Sequence, residues 1–513
     1  MHAKQFGRVT RSGLYGPRGP IAVLAIVAGI LLGCGGACQG AESQAGGGAG
    51  QLDLPAPSLP PNIVIIFADD LGWGDLGCYG HPTIRTPHLD RMAAEGQRWT
   101  SFYSAAPVCT PSRAALLTGR LPVRNGMAHD VRRVLFPDSA GGLPPEEVTL
   151  AEILRQRGYT SACIGKWHLG HLPQYLPTRQ GFDMYFGIPY SNDMDRAPDA
   201  PRGREALLHP RIEYFRVPLL RNTQEIERPA DQTTITRRYT DEAVRFIRQH
   251  RDRPFFLYLA HNLPHVPLFV SPEYRGRSLR GLYGDVVEEI DAGVGRILDT
   301  LRELALDQRT LVVFSSDNGP WLIFDQHGGS AGPFRDGKGS TWEGGMREPG
   351  LFWWPGRIKP GVVCEMGSTL DLVPTCAALA GAKLRDRSLD GVDLSPVLFG
   401  RGPSPRRTMF FYRDTRLYAV RHGPYKAHFY TRSAYGGDPE QKHDPPLLFH
   451  LEHDPGERFN IAKDHPEVIA QIRKIAAEHQ ATVVPVPNQL EKVIVQPKSK
   501  PKAARAGRKN AKE

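Results

Sequence analysis

Four short apolar runs limit what this chain can fold into more than any other feature. Residues 62–67 read Asn-Ile-Val-Ile-Ile-Phe, 160–164 Thr-Ser-Ala-Cys-Ile, 255–259 Phe-Phe-Leu-Tyr-Leu and 310–314 Thr-Leu-Val-Val-Phe. A strand with one wet face alternates apolar and polar residues. A strand apolar along its whole length is covered on both faces. Between the last two runs, Val286, Val287, Ile290, Val294, Ile297, Leu298 and Leu301 recur at helical spacing. Buried strands alternating with helices predict an α/β sheet sandwiched between helix layers. Each run also stops at polar residues: Asp69-Asp70, Lys166-Trp167-His168, His261 with His265, and Asp317-Asn318. Open α/β sheets bind ligands at the carboxyl ends of their strands.

The rest of the chain divides by texture. Residues 1–40 look like an export segment, with Lys4, Arg8, Arg11 and Arg18 ahead of an apolar run at 21–32 that is too short to span a bilayer comfortably. Leu31-Leu32-Gly33-Cys34 resembles a lipobox, which would put a lipid anchor on Cys34; a plain secretory signal is the alternative. Either way the expected location is exported, periplasmic or extracellular. Residues 41–60 are rich in Gly, Ala, Ser and Pro and read as a linker. The α/β domain is expected over 61–400. A smaller C-terminal α+β domain over 401–485 is predicted from short β-like runs at 409–413, 417–421, 426–430 and 447–451, followed by a helix near 466–478. Residues 486–513 read as a basic disordered tail.

The net charge is +10, but residues 492–513 hold eight Lys or Arg against one acid. The remainder is nearly neutral, so nucleic acid is not an expected partner. With Cys34 and Cys38 in the export segment and Cys109 in a motif of its own, Cys78, Cys163, Cys364 and Cys376 leave room for up to two disulfides in an oxidising compartment.

Residues 109–120 read Cys-Thr-Pro-Ser-Arg-Ala-Ala-Leu-Leu-Thr-Gly-Arg. The pattern predicts a helix capped by Thr110 with Pro111 in its first turn, so that Cys109 sits at the positive end of the dipole and Arg113 reaches back to it. Asp69, Asp70, Asp317 and Asn318 form two oxygen-bearing pairs at strand ends. Carboxylates in such a cluster repel unless a cation neutralises them, and hard oxygens suit Ca²⁺ or Mg²⁺. Lys166 and His168 share one face of an extended segment. Lys338 is flanked by glycines that let it approach a ligand, without the order of a Walker loop.

Taken together, these stretches resemble the type I sulfatases of the alkaline phosphatase superfamily, and above all the arylsulfatase A branch. Residues 68–75, 109–120, 165–170, 187–191, 316–320 and 337–349 carry the resemblance, in family order. It implies an alkaline phosphatase-like fold with a large, mixed, mostly parallel sheet. It also implies that Cys109 is oxidised by a formylglycine-generating maturation enzyme, and that the aldehyde hydrate becomes the nucleophile. One Ca²⁺ ion would be held by Asp69, Asp70, Asp317, Asn318 and residue 109. Arg113 and Lys166 would hold the hydrate and His168 would act on its second hydroxyl. His265, chosen over His261, would bind sulfate with Lys338 and Ser191 and help the leaving group. The substrate would be an aryl sulfate or a sulfated carbohydrate. Two alternatives are a phosphodiesterase or phosphonate monoester hydrolase of the same superfamily, and a sulfated-glycan-binding protein whose cysteine never matures.

Overall fold

The computed structural model describes residues 59–385, 388–435, 438–484 and 486–495. The proposed export segment, the lipobox at Cys34, most of the linker and residues 496–513 lie outside the described residues.

Ten strands form the main sheet: β1 (Asn62–Ala68), β2 (Gln97–Tyr103), β3 (Thr160–Gly165), β4 (Met184–Gly187), β5 (Leu219–Arg221), β6 (Gln224–Glu227), β7 (Phe255–Ala260), β8 (Thr310–Ser316), β9 (Arg347–Trp353) and β10 (Gly361–Ser368), in the order β10-β2-β9-β8-β1-β7-β3-β4-β5-β6. The central strands β8, β1, β7, β3 and β4 are mutually parallel, whereas β9, β5 and β6 pair antiparallel to their neighbours. The four apolar runs of the sequence are therefore four adjacent central strands.

Their residues alternate between two helix layers. Val64, Ile66, Leu257, Leu259, Val312 and Phe314 pack with helices Ile235–Gln249 and Leu282–Glu303. Ile63, Ile65, Phe67, Phe256, Tyr258, Leu311 and Val313 pack on the other side with helices Cys109–Thr118 and Leu372–Ala380. Burial on both faces is the reason the runs carry no polar alternation.

Register decides where the site lies. Ala68 pairs with Ser316, Phe67 with Ala260, and Gly165 with Ala260. The four strands thus end level, and Asp69, Asp317, His261 and Lys166 follow side by side. Gly165 permits this close approach: at its φ of +112°, a Cβ would lie 1.8 Å from the Ala260 carbonyl oxygen.

A second, antiparallel sheet runs β11 (Thr408–Arg413), β12 (Arg416–His422), β13 (Tyr425–Thr431) and β14 (Gln441–His450), followed by helix Pro466–Ala481. The last strand begins before the predicted 447–451, through Asp444-Pro445-Pro446, where no apolar alternation marks it. The two sheets meet over buried charge: Lys426 Nζ lies 2.9 Å from Glu343 and 3.2 Å from Glu457, and His428 Nε2 lies 2.6 Å from Glu457.

Two further expectations change. Residues 486–495 are not a free tail. Leu490 is fully buried, Gln489 N–H donates to Gly126 O, Ile494 N–H donates to Asp138 O, and Val493 bridges Ser139. The basic composition of residues 496–513 hid this apolar docking segment. No disulfide joins Cys78, Cys163, Cys364 or Cys376, and none occurs among the described residues.

Candidate active site

The helix Cys109–Thr118 starts two residues earlier than a Thr110 cap would require, and Val108 occupies the N-cap with no side-chain bond. Thr110 is used differently. Its hydroxyl donates to His168 O (3.0 Å) and accepts from Leu135 N–H (3.2 Å), tying the helix start to the segment after β3. Cys109 is buried at the helix N-terminus, as expected. Its thiol is nonetheless pushed up to about 11: burial leads, and Asp69 and Asp317 reinforce it against Lys166 and Lys338.

Oxygen atoms of Asp69, Asp70 and Asp317 lie within 4.8 Å of one another, and Cys109 Sγ, an Asp69 oxygen and a His265 ring nitrogen form a second such group. All are buried. Asp70 takes φ of 63°, which turns its carboxylate back toward Asp317, whose Oδ1 accepts from Asp70 N–H. Asn318 Nδ2 donates to Asp70 Oδ1 (2.7 Å). Burial raises Asp70 to about 6, against the lowering pull of Lys338. Burial, with Asp69 next, raises Asp317 to about 7. Burial would also raise Asp69, but Lys166, His265 and Arg113 outweigh it and hold that carboxyl well below its usual range. Asp69 Oδ1 and Asn318 Oδ1 are buried with no hydrogen-bond partner. This donor set, three clustered carboxylates and an amide, all hard oxygen with two orphaned atoms, fits a divalent cation.

Cations surround the cluster. Arg113 donates through Nε to Asp317 Oδ2 (2.9 Å), and its Nη2 lies 2.7 Å from that oxygen and 3.5 Å from Asp69. It also donates to the carbonyls of Lys166 and His261. Lys166 Nζ donates to Asp69 Oδ2 (2.5 Å) and Ser191 Oγ (3.1 Å). Lys338 Nζ lies 2.8 Å from Asp70. Asp69, Asp70, Cys109, Arg113, Lys166, Ser191, Asp317, Asn318 and Lys338 are thus brought to one place.

The histidines divide. His265 Nε2 lies 3.6 Å from Asp70 Oδ2, whereas His261 offers only its carbonyl to Arg113 and packs its ring near Tyr239. His168 is buried, but its φ of 57° departs from the extended backbone predicted for it. The Leu135 carbonyl 2.8 Å from His168 Nε2 can only accept, so Nε2 carries the hydrogen and Nδ1, which has no partner, keeps a free lone pair. Burial, then Lys166, holds His168 well below its ordinary value, so it is neutral at neutral pH.

Sequence reasoning missed some of the surroundings. Asp75 fixes the loop after β1 by accepting from Gly72 N–H, Ser330 N–H and the Tyr283 hydroxyl. Asp193, whose Oδ1 is buried and unpartnered, lies within electrostatic reach of Lys166 and Lys338. Trp321 and Tyr435 flank Lys338. Only Asp75 stood in a motif that could have revealed it.

Comparison with known proteins agrees with this geometry. The sulfatase family matches residues 61–382, and the C-terminal region of aryl-sulfatase matches 404–508. This chain is a member of the sulfatase family. Human arylsulfatase A is 46% identical over 471 residues, spanning 85% of this sulfatase and 91% of its own length. Mouse N-acetylgalactosamine-6-sulfatase is 44% identical, with 86% and 90% covered. The crystal structure of Ps i-CgsB in complex with k-i-k-neocarrahexaose superposes with a TM-score of 0.70 at 32% identity, covering 85% of this sulfatase and 95% of that chain. The sulfatase is accordingly a sulfuric ester hydrolase of the arylsulfatase type, with an alkaline phosphatase-like sheet.

Proposed function

We propose that this sulfatase cleaves sulfate esters with a formylglycine made from Cys109 and one Ca²⁺ ion bound by Asp69, Asp70, Asp317 and Asn318. The observation that carries the proposal is the placement of residue 109, at a buried helix N-terminus, beside three clustered carboxylates and their three cationic partners.

Bound calcium would neutralise the carboxylates and polarise an oxygen on residue 109. A formylglycine hydrate would supply an oxygen nucleophile together with a second hydroxyl, through which the aldehyde can be regenerated. The remaining work falls to the chain's own side chains. Arg113 and Lys166 orient the oxygens of residue 109. His168 is kept neutral, and its unpartnered Nδ1 is the acceptor for a hydroxyl proton. Lys338 and His265 face the sulfuryl oxygens and the leaving oxygen, and an incoming anion favours the protonated form of His265. Ser191, held by Lys166, adds a hydroxyl at the pocket wall. Burial of all these groups excludes water and strengthens each electrostatic contact.

Aryl sulfates and sulfated carbohydrates are the proposed substrates, and the neocarrahexaose complex of a relative favours the carbohydrate. Maturation requires a formylglycine-generating enzyme. Export to the periplasm or cell exterior, with or without a lipid on Cys34, is part of the same proposal. The test is mass analysis of the peptide containing Cys109 after co-expression with a maturation enzyme, alongside turnover of 4-nitrophenyl sulfate and bis(4-nitrophenyl) phosphate. An aldehyde at position 109 with activity on the sulfate is the expected result. A free thiol in active protein would overturn the nucleophile; preference for the diester would move the protein to the phosphodiesterase alternative.

A further inference from the structure

Immediately outside the anion pocket, the chain turns from charged to apolar. Trp321 follows Asn318-Gly319-Pro320; its ring centroid is 5.2 Å from that of His265, and Lys338 Nζ stands 4.2 Å from it. On another side, 5.3 Å away and tilted by 41°, lies Tyr435, carried by the connection between β13 and β14. Beyond Trp321, Leu322 and Ile323 are 43% and 40% exposed, and Tyr435 is 41% exposed. A cleft of about 160 Å³ lies between this turn and the connection, lined by Leu322, Ile323, Asp336, Lys338, Ser433 and Tyr435.

Lys338 belongs to both spaces: it lines the cleft, and its ammonium lies 2.8 Å from Asp70 in the metal cluster. A sulfate ester joins its organic group to sulfur through one bridging oxygen. With the sulfuryl oxygens at Lys338 and His265, the organic group has to lie against the residues that adjoin them. The cleft equals about five liquid water volumes, room for one ring rather than an extended chain.

Its lining distinguishes between kinds of ring. The Trp321 and Tyr435 rings touch each other at an angle and leave no parallel slot for a flat aryl group. Leu322, Ile323 and Tyr435 instead offer a continuous apolar wall. The polar side chains at the cleft are Asp336, whose Oδ1 and Oδ2 accept from Gly337 and Ala434 N–H, and Ser433, whose hydroxyl donates to Asp438; their remaining lone pairs can accept from the hydroxyls of a sugar, which an unsubstituted aryl ring lacks. The connection itself is fastened: Ala434 N–H donates to Asp336 Oδ2, and Arg413 donates to the carbonyls of Ser433 and Ala434.

We infer that this cleft holds the pyranose ring of a sulfated sugar, its C–H face on Leu322, Ile323 and Tyr435 and its hydroxyls toward Asp336 and Ser433. Trp321 backs His265 and Lys338 at the inner end. The inference rests on the sulfatase chemistry proposed above and assigns the leaving group.

The experiment compares matured wild type with the double variant Leu322→Ser/Ile323→Ser and with Tyr435→Ala. These side chains are exposed, so folding should survive. The readouts are KM for a panel of monosaccharide sulfates and Ki for inorganic sulfate. Expected are turnover of at least one sugar sulfate by wild type, KM raised roughly tenfold or more in both variants, and a sulfate Ki changed by less than about twofold. Unchanged KM overturns the cleft assignment, as does wild type that hydrolyses 4-nitrophenyl sulfate but no sugar sulfate. Should wild type turn over no sulfate ester, the proposed chemistry fails separately. Calorimetric binding of the same panel then decides the cleft: tighter binding by wild type than by the variants supports it, and equal or absent binding overturns it.

Discussion

Replacing Arg113 by methionine tests the electrostatic logic of the site most directly. The guanidinium is fully buried, lies 2.7 Å from Asp317 and 3.5 Å from Asp69, and donates to two backbone carbonyls that follow β3 and β7. Methionine conserves much of the volume but leaves Asp317 without its counter-charge. Breaking a buried ion pair from one side costs about 3–5 kcal/mol, because the surviving charge stays desolvated. Arg113→Lys keeps the charge but loses the planar fork, so it should cost about half as much. The assay is denaturant unfolding followed by tryptophan fluorescence, in chelator and in saturating calcium. In chelator the methionine variant should lose the full amount. Calcium should return part of it, since the ion neutralises the same carboxylates from another side. A methionine variant within about 1 kcal/mol of wild type in chelator would refute the reasoning, because Arg113 could then not be the counter-ion of the cluster.

Lys338→Ala in matured enzyme should lower kcat on a sulfate ester about 100-fold or more while the protein remains folded, the scale expected for one electrostatic stabiliser; normal turnover would remove Lys338 from the proposed mechanism. His261 gives a pH prediction. Burial, followed by Arg113, lowers its pKa from 6.5 to about 4. Between those values the unfolded chain binds the proton that the folded chain refuses, so stability falls as pH drops through this window. The loss reaches roughly 3 kcal/mol at about 1.36 kcal/mol per pH unit. His261→Gln should flatten the fall in unfolding free energy between pH 7 and pH 4.5, and an unaltered slope would mean that His261 is not held neutral.

Much of the site was legible because its residues lie in short motifs at strand ends. Asp69 and Asp70 directly follow an apolar run, Asp317 and Asn318 follow one after Ser315-Ser316, and Lys166 follows a buried strand that opens with Thr160-Ser161; strands buried on both faces deliver such polar residues to the sheet edge. The local details were not legible. Thr110 has the chemistry of a cap, yet its hydroxyl is taken by His168 O and Leu135 N–H from distant segments. His168 reads as extended but adopts a left-handed backbone. His261 and His265 have similar local surroundings, and only the path of the loop after β7 sends one ring to Asp70 and the other toward Tyr239. Residues 486–495 carry a weak apolar pattern whose partners, Gly126 and Asp138, are more than 350 positions away.

The sequence by itself determined the double-faced burial of four strands, the polar residues that end them and the cysteine motif that opens a helix. These depend on periodicity and on neighbours a few positions apart. Tertiary structure decided the level register of β8, β1, β7 and β3, the pKa of Cys109 and the meeting of Trp321 with Tyr435 beside Lys338. The physical reason is range. Hydrophobic pattern is a property of a segment, whereas desolvation and Coulomb energy depend on which charges share a buried volume. Cys109 is the clearest case. Its helix N-terminus alone would lower the thiol pKa, and burial beside Asp69 and Asp317, brought from opposite ends of the domain, raises it.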